Sequence, residues 1–215
     1  EESIESTPEF LENAGIIAGA RILKSTQWTQ GVQRHGGDIG LELTTRNCGV
    51  LLQHCLGSLS TSSLAGTSTH TITPGDLTGL GLTVQIGRPD SGGTVRPFTY
   101  AGCKVASWEI ALASNQNATF GLSLVAQTQT TATGLATASY TTTSDPFSFV
   151  GGSFVLAGST LCIRSARVAG DNKLDTDRVC VGHNYIEQPI ESDLRELTGE
   201  LEMEFPDLIH YNRFV

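Results

Sequence analysis

Four glutamates near the C-terminal end of the chain form the clearest cluster of ionisable residues. They are Glu196, Glu200, Glu202 and Glu204 of the segment LRELTGELEMEF. The intervening apolar residues are Leu197, Leu201, Met203 and Phe205. In a β-strand this alternation places all four carboxylates on one face, where like charges repel unless water or cations lie close. The stripe predicts a solvated sheet face, and an ordinary protein surface is one interpretation of it.

Two other groups of residues suggest metal binding, but their spacing argues against it. Cys48, His54 and Cys55 match neither zinc pattern with paired ligands two to four positions apart, and buried cysteines on the sheet-facing side of a helix are the simpler interpretation. Residues 171–177 contain three aspartates and Asn172, yet no twelve-residue calcium-loop register ends in the required glutamate. We interpret this segment as a solvated turn.

Motifs for enzymatic catalysis are missing from the sequence. It contains neither the Gly-Lys-Ser/Thr of a phosphate loop nor the GxSxG of a nucleophile elbow. The pair Gly79 and Gly81 lacks the third glycine and the following helix of a dinucleotide site. We therefore predict a protein that is not an enzyme and that requires no metal or cofactor.

Composition favours one domain over residues 1–215, built from many short strands. The chain has 24 glycines, and only 16% of its residues are charged. Its net charge of -9 makes it a poor binder of DNA phosphates, since that affinity comes largely from lysine and arginine. No apolar run approaches the length of a membrane-spanning helix. Five cysteines without CxxC spacing are interpreted as reduced.

The longest regular pattern lies between residues 94 and 133. In KVASWEIALAS, apolar and polar positions alternate around Trp108, which predicts a strand with one face on the core. After a polar turn at 114–117 the alternation resumes in TFGLSLVAQ, as expected of an antiparallel partner. We expect a central β-hairpin with Trp108 as its core anchor.

The rest of the chain predicts about nine or ten strands and one short helix. The helix covers residues 47–56, with Asn47 as its N-cap and Gly57 as its stop. Residues 1–35 form an N-terminal arm, whereas 58–73 and 127–146 form extended loops. Short strands are expected around LTVQIG and on both sides of Gly151-Gly152, and AGDNKLDTD is expected to be a loop. This pattern is typical of a mainly β protein, a sandwich or barrel.

Several segments, taken in order, resemble the tail tube protein family, the major tail proteins of long-tailed bacteriophages. They are GVLLQHCLGS, THTIT before LTVQIGR, FTYAGCKVASWEIAL, PFSFVGGSFVLAG, IRSARVAGDNKL and RELTGELEMEFPD. The chain departs from the family pattern at its Asn pair, which is Asp171-Asn172 here with Lys173 before Leu174. The cysteines outside Cys103 also have no counterpart in that pattern.

The resemblance implies a β-sandwich or β-barrel core with one short flanking helix and long loops or arms. It implies copies assembled in the host cytoplasm into six-fold rings, which stack into the tube of the virion tail. The implied partners are the tape measure protein in the lumen, a tail terminator, and baseplate or tip proteins. Double-stranded DNA would pass through without specific binding, and the protein would not contact a membrane.

If the resemblance holds, Glu196, Glu200, Glu202 and Glu204 are candidates for the lining of the lumen. Two alternatives remain: a tail terminator or secretion-tube protein of the same fold, and a β-sandwich module that binds carbohydrate or a cell surface. The module would need exposed aromatic side chains in its Ser/Thr-rich loops, and Tyr140 is the single aromatic residue in 126–146.

Overall fold

A computed structural model describes residues 1–12, 27–140, 143–156, 158–204 and 208–212. The protein is mainly β-structure, and its largest sheet curls into a half-barrel flanked by a short helix, which confirms the predicted fold class. In chain order the elements are β1 (Glu5–Glu12), β2 (Trp28–Glu42), α1 (Gly49–Leu56), β3 (Gly57–Leu64), β4 (Thr67–Pro74), β5 (Leu82–Pro89), β6 (Val95–Ala113), β7 (Thr119–Ala126), β8 (Thr128–Thr130), β9 (Phe154–Leu156), β10 (Ser159–Leu161), β11 (Ile163–Asp171), β12 (Leu174–Asp175), β13 (Ile190–Glu191), β14 (Glu196–Met203) and α2 (Leu208–Tyr211). The strands outnumber those predicted because several span only two or three residues.

The main sheet has the strand order β1, β2, β7, β6, β11, β14, and all neighbouring strands are antiparallel. Its centre is the predicted hairpin of β6 and β7. The pairing register of β6 shifts between Val105 and Ser107. Before this bulge β6 pairs with β5 and β8, and beyond it with β11. Such a bulge bends a long strand, and it allows β6 to serve two parts of the curved sheet.

The hydrophobic core lies on one face of β6 and β7. Burial alternates along β7, where Phe120, Leu122 and Leu124 are at most 3% exposed. Burying each of these side chains contributes roughly 1.5–3 kcal/mol. Helix α1 packs against the same cluster through Cys55, which is 1% exposed.

Helix α1 confirms the helix predicted at 47–56, but its cap differs from the prediction. The N-cap is Cys48, and Asn47 has a φ of 70°. A capping asparagine needs an extended backbone, so this left-handed conformation excludes Asn47 from the N-cap position. Gly57 ends the helix as predicted, with a φ of 108°.

Residues 57–74 form a two-stranded hairpin, and the prediction of an extended loop at 58–73 is wrong. β3 and β4 pair along their whole length, and Ala65 and Gly66 supply the positive φ values, 50° and 81°, that a tight hairpin turn needs. Nearly all residues of this hairpin, called here the hairpin arm, are exposed. The prediction failed because a hairpin that buries neither face carries no apolar alternation.

The described part of the predicted N-terminal arm, residues 1–12 and 27–35, belongs to the main sheet. β1 pairs with the first part of β2, and all eight of its residues are exposed. Residues 13–26 of this arm, like Phe205 at the end of the segment with the four glutamates, lie outside the described residues. Of the predicted loop at 127–146, the described residues contain one short strand, β8.

Two further local predictions need correction. The loop predicted for AGDNKLDTD begins inside β11, which continues to Asp171, and it also contains β12, paired with β13. Two strands were predicted around Gly151-Gly152. In place of the first, the structure has a 3₁₀ turn at Phe149–Gly151. The second predicted strand is present as β9, which pairs with β10.

Candidate functional site

The two faces of the main sheet differ in chemistry. Residues directly opposite each other on paired strands project from the same face, so the register assigns each side chain to a face. Trp108, Leu122 and Gly170 share the face that lies on the core. The term concave face is used here for the part of the opposite face that runs from the row of Asp38 and Glu196 to the row of Ser165 and Glu202, along which two open depressions lie. It comprises Asp38, Gly40, Glu42, Ser107, Glu109, Ala111, Ala113, Thr119, Gly121, Ser123, Ser165, Arg167, Ala169, Asp171, Glu196, Thr198, Glu200 and Glu202.

Short side chains keep the middle of the concave face shallow. One row across five strands consists of Gly40, Gly121, Glu109, Ala169 and Thr198. Both glycines have open space where a Cβ atom would stand. Two open depressions, of about 620 Å³ and about 400 Å³, lie along this face. Neither has the closed apolar walls that are typical of a small-molecule site.

The four glutamates singled out in the sequence lie together at one side of this surface. Glu196, Glu200 and Glu202 project from β14 on the concave face, and Glu204 follows directly after the strand. The side chains of Glu196, Glu200 and Glu204 are 60%, 70% and 65% exposed. They form a hydrated stripe of carboxylates, as the alternation predicts.

Acidic residues on three other strands extend this charge across the sheet, and their grouping was not predicted. Asp38, Glu42, Glu109 and Asp171 belong to the same face as the stripe. With Glu196, Glu200 and Glu202 the concave face therefore carries seven acidic residues and one basic residue, a net charge of 1 - 7 = -6. Their separation along the chain concealed this cluster, because only the pairing register brings them together.

Two cations lie among these carboxylates, and each contacts two of them. The guanidinium of Arg167 on β11 lies 2.5 Å from a carboxylate oxygen of Glu109 and 3.4 Å from one of Glu200. Arg167 thereby links β11 to both neighbouring strands. The ammonium of Lys173, beyond the end of β11, lies 2.7 Å from Asp171 and 3.2 Å from Glu196.

These contacts shift pKa values in the direction that keeps both partners charged. Hydrogen bonds from Lys173 lower the pKa of Asp171, and hydrogen bonds to Asp171 and Glu196 raise the pKa of Lys173. The hydrogen bond to Glu109 and its negative charge raise the pKa of Arg167. Arg167, Asp171 and Lys173 are therefore held in their charged forms near neutral pH.

The remaining two glutamates of the stripe also have partners on or next to β11. The guanidinium of Arg164 lies 3.0 Å from Glu204, and the hydroxyl of Ser165 donates to Glu202 at 3.1 Å. None of the basic partners was predicted. The available signal was the alternation of polar residues through IRSARVAGD, the last three residues of which were assigned to a loop.

Trp108 supports the concave face from the core side. Its side chain is 7% exposed and belongs to the core cluster. Its neighbour Glu109 points the other way, onto the concave face. Among the described residues no hydrogen-bond partner contacts the buried Nε1 of Trp108, so the indole contributes through packing alone.

The residues considered as metal ligands have other contacts. The thiol of Cys48 donates to the carbonyl oxygen of Thr44 at 3.2 Å, and burial raises the pKa of the Cys55 thiol to about 12. Asp171 accepts a hydrogen bond from a backbone amide two residues ahead, the arrangement of a turn. Within the described ranges no group of three histidines, cysteines or acids is placed to hold a metal ion.

Comparison with known proteins identifies one family. A sequence model described as phage tail tube protein matches residues 5–215, which include every residue of the concave face. A search of curated proteins found no match. No helix in the described part of the chain has the length and apolar character to cross a membrane.

Proposed function

The chain belongs to the phage tail tube protein family and is a structural component of the virion tail, and we propose that its copies form stacked six-fold rings around a channel. The channel would hold the tape measure protein before infection and conduct double-stranded DNA during ejection. The observation that carries this proposal is a curled half-barrel sheet with one polar, acidic face, along which two open depressions lie. Such a face suits the wall of a water-filled channel.

Ring formation would give pairing partners to the unpaired edge strands of the main sheet. β14 pairs only with β11, and no described strand covers its outer side. At the opposite edge, β1 is fully exposed. Unpaired strand edges invite pairing with another chain, and closure of a sheet into a barrel removes them. We propose that neighbouring copies meet at these edges and that the concave faces together form the lumen.

An acidic lumen would lower the adhesion of DNA. Phosphates are attracted by lysine and arginine and repelled by carboxylates, and a wall of one sign produces a field much larger than that of a single residue. We propose that Glu196, Glu200, Glu202 and Glu204 line the lumen. Because every copy in a ring would contribute the same face, the negative charge multiplies around the channel.

The exposed segments would supply the contacts between copies. The hairpin arm carries no Asp, Glu, Lys or Arg, and it exposes Leu64 at 83% and Leu59 at 42%. We propose that the hairpin arm and residues 127–146 contact adjacent copies in the same or the next ring. The tail terminator and the baseplate or tip proteins would bind the two ends of the tube, which would assemble in the host cytoplasm.

Electron microscopy of the purified protein tests the proposal. Long hollow filaments are the expected result. Single rings would favour a tail terminator. Dispersed monomers that bind glycans would contradict the proposal that the protein forms a tube. A variant in which two glycines replace residues 59–72 should keep its fold, because those residues are nearly all exposed, and should form fewer or shorter filaments. Filaments of unchanged length would contradict the role of the hairpin arm.

A further inference from the structure

We propose that Glu109 and Glu200 mask Arg167, so that the one cation of the concave face is not available to a passing phosphate. This inference rests on the proposed function and adds a specific task for two carboxylates. In this view they act by occupying the donors of a particular guanidinium. Their role is thus distinct from that of a general negative background.

The position of Arg167 makes it the most consequential cation of the surface. It lies where the two depressions of the concave face meet, and both depressions include it in their walls. Its side chain is 45% exposed. A guanidinium in such a place is a strong phosphate ligand, since its planar set of donors matches two phosphate oxygens.

The carboxylates are arranged to occupy those donors from two sides. Nη2 of Arg167 donates to Glu109 on β6, and Nη1 donates to Glu200 on β14. Each Nη nitrogen therefore uses one of its two N–H groups on a carboxylate, so a phosphate that approached the guanidinium would meet two negative charges at its donors. Lys173 has the same arrangement between Asp171 and Glu196, so the pattern occurs at two independent cations.

A contribution to folding stability does not explain why Arg167 pairs with these two carboxylates. The three side chains of the Arg167 cluster are between 41% and 70% exposed. Exposed ion pairs contribute little to folding stability, because solvent screens them and ordering long side chains costs entropy. An effect on what the surface binds is a better explanation than an effect on folding.

The concave face also offers a matched control. Asp38 and Glu42 lie on β2, apart from the glutamate stripe, and Glu42 accepts a hydrogen bond from Asn117. Among the described residues neither carboxylate forms an ion pair with a cation. The double variants E109Q/E200Q and D38N/E42Q therefore change the net charge equally, but only the first exposes a guanidinium.

The experiment measures retention of a double-stranded DNA fragment on a column of immobilised full-length protein, eluted with salt. We expect DNA to pass the wild-type and D38N/E42Q columns at low salt and to be retained by E109Q/E200Q. Each additional phosphate that the protein neutralises should steepen the dependence of log affinity on log salt by about 0.9. Adding Arg167→Gln to E109Q/E200Q should abolish retention.

Three other outcomes would count against the masking role or its premise. Equal retention by the two double variants would show that net charge alone matters and would overturn the masking role. Absence of retention by E109Q/E200Q would also overturn it and would leave the proposed tube intact. Strong retention by the wild-type protein would contradict the low adhesion on which the inference rests. If E109Q/E200Q does not fold by circular dichroism, the single variants E200Q and E42Q provide the same comparison.

Discussion

The indole ring of Trp108 covers Gly170 on the adjacent strand, so that a Cβ atom at position 170 would stand 2.5 Å from the ring atoms Cε2 and Nε1. The pair joins β6 to β11 beneath the concave face. A single methyl group added at this position would force the buried ring or the strand to move.

Gly170→Ala is therefore expected to destabilise the protein by about 1–3 kcal/mol, the usual cost of overpacking a core. Denaturation with urea measures this loss. Gly199→Ala on β14 is the matched control, because a Cβ atom there meets open space, and it should change stability by no more than about 0.5 kcal/mol. Equal effects of the two substitutions would contradict the packing that we describe.

Arg195 fixes the base of the hairpin arm. Its guanidinium donates to the carbonyl oxygens of Leu56 at 2.8 Å and of Gly75 at 2.5 Å, and it pairs with Glu191. Arg195→Met keeps the aliphatic stem and should cost roughly 1.5–3 kcal/mol, the range for hydrogen bonds to charged groups. It should also speed hydrogen exchange near Gly57.

The control for this prediction is Arg96→Met. Arg96 pairs with Asp90, and its side chain is 62% exposed, so the loss should stay below about 1 kcal/mol. Similar stability losses and similar exchange in the two variants would show that Arg195 has no special role at the hairpin arm.

Stability should fall in mild acid because of His35. This side chain is 5% exposed, its Nδ1 lies 2.8 Å from the hydroxyl of Ser6, and burial lowers its pKa below the usual 6.5. Between the two pKa values the unfolded chain binds more protons than the folded one, so stability rises with pH there. As the pH falls below about 6.5, one such group removes at most about 1.4 kcal/mol per pH unit, until the folded pKa is passed.

Urea denaturation at several pH values between about 5 and 7 measures this dependence, and His35→Gln should flatten it. Burial also lowers the pKa of His54, so part of the slope should remain. His70→Gln removes an imidazole from the hairpin arm and serves as the control. An unchanged slope in His35→Gln would exclude His35 as the source.

Reversing the charge of the glutamate stripe tests its proposed place in the lumen. The triple substitution of Glu200, Glu202 and Glu204 to Lys should permit folding, because the side chains are exposed, but should slow DNA release by adding phosphate ligands to the channel wall. Release can be followed with a DNA-binding dye in phage assembled from the variant. Asp193→Lys, in the exposed loop before β14, tests whether any added lysine has this effect. DNA release at the wild-type rate would show that the glutamate stripe does not line the channel.

The parts of the fold predicted correctly are those in which burial leaves a pattern in the sequence. The hairpin of β6 and β7 is confirmed because its core face is apolar at every second position. Helix α1 is confirmed over most of its length because Cys55 and its apolar neighbours recur at helical spacing. The hairpin arm was missed because it is held by backbone pairing and by polar contacts such as that between Thr61 and His70, which leave no apolar pattern in the sequence.

The partners of the glutamate stripe could not be predicted because they depend on register. Arg167 contacts Glu109 and Glu200 only because β11 lies between β6 and β14 in one particular alignment. A shift of one residue would move Arg167 to the core face. The alternation of apolar and polar residues within a strand shows which residues share a face of that strand. It does not show which residues of neighbouring strands lie opposite each other.

Because the hairpin arm is uncharged, the strength of its contacts with other copies and the charge of the channel wall would depend differently on ionic strength. Salt weakens attraction and repulsion between ionised side chains, yet it leaves contacts between hydroxyl, methyl and leucine groups nearly unaffected. Contacts between copies that are made by this segment would therefore be about equally strong at high and at low salt concentration. The charge on the wall could then be screened or altered without loosening the assembly.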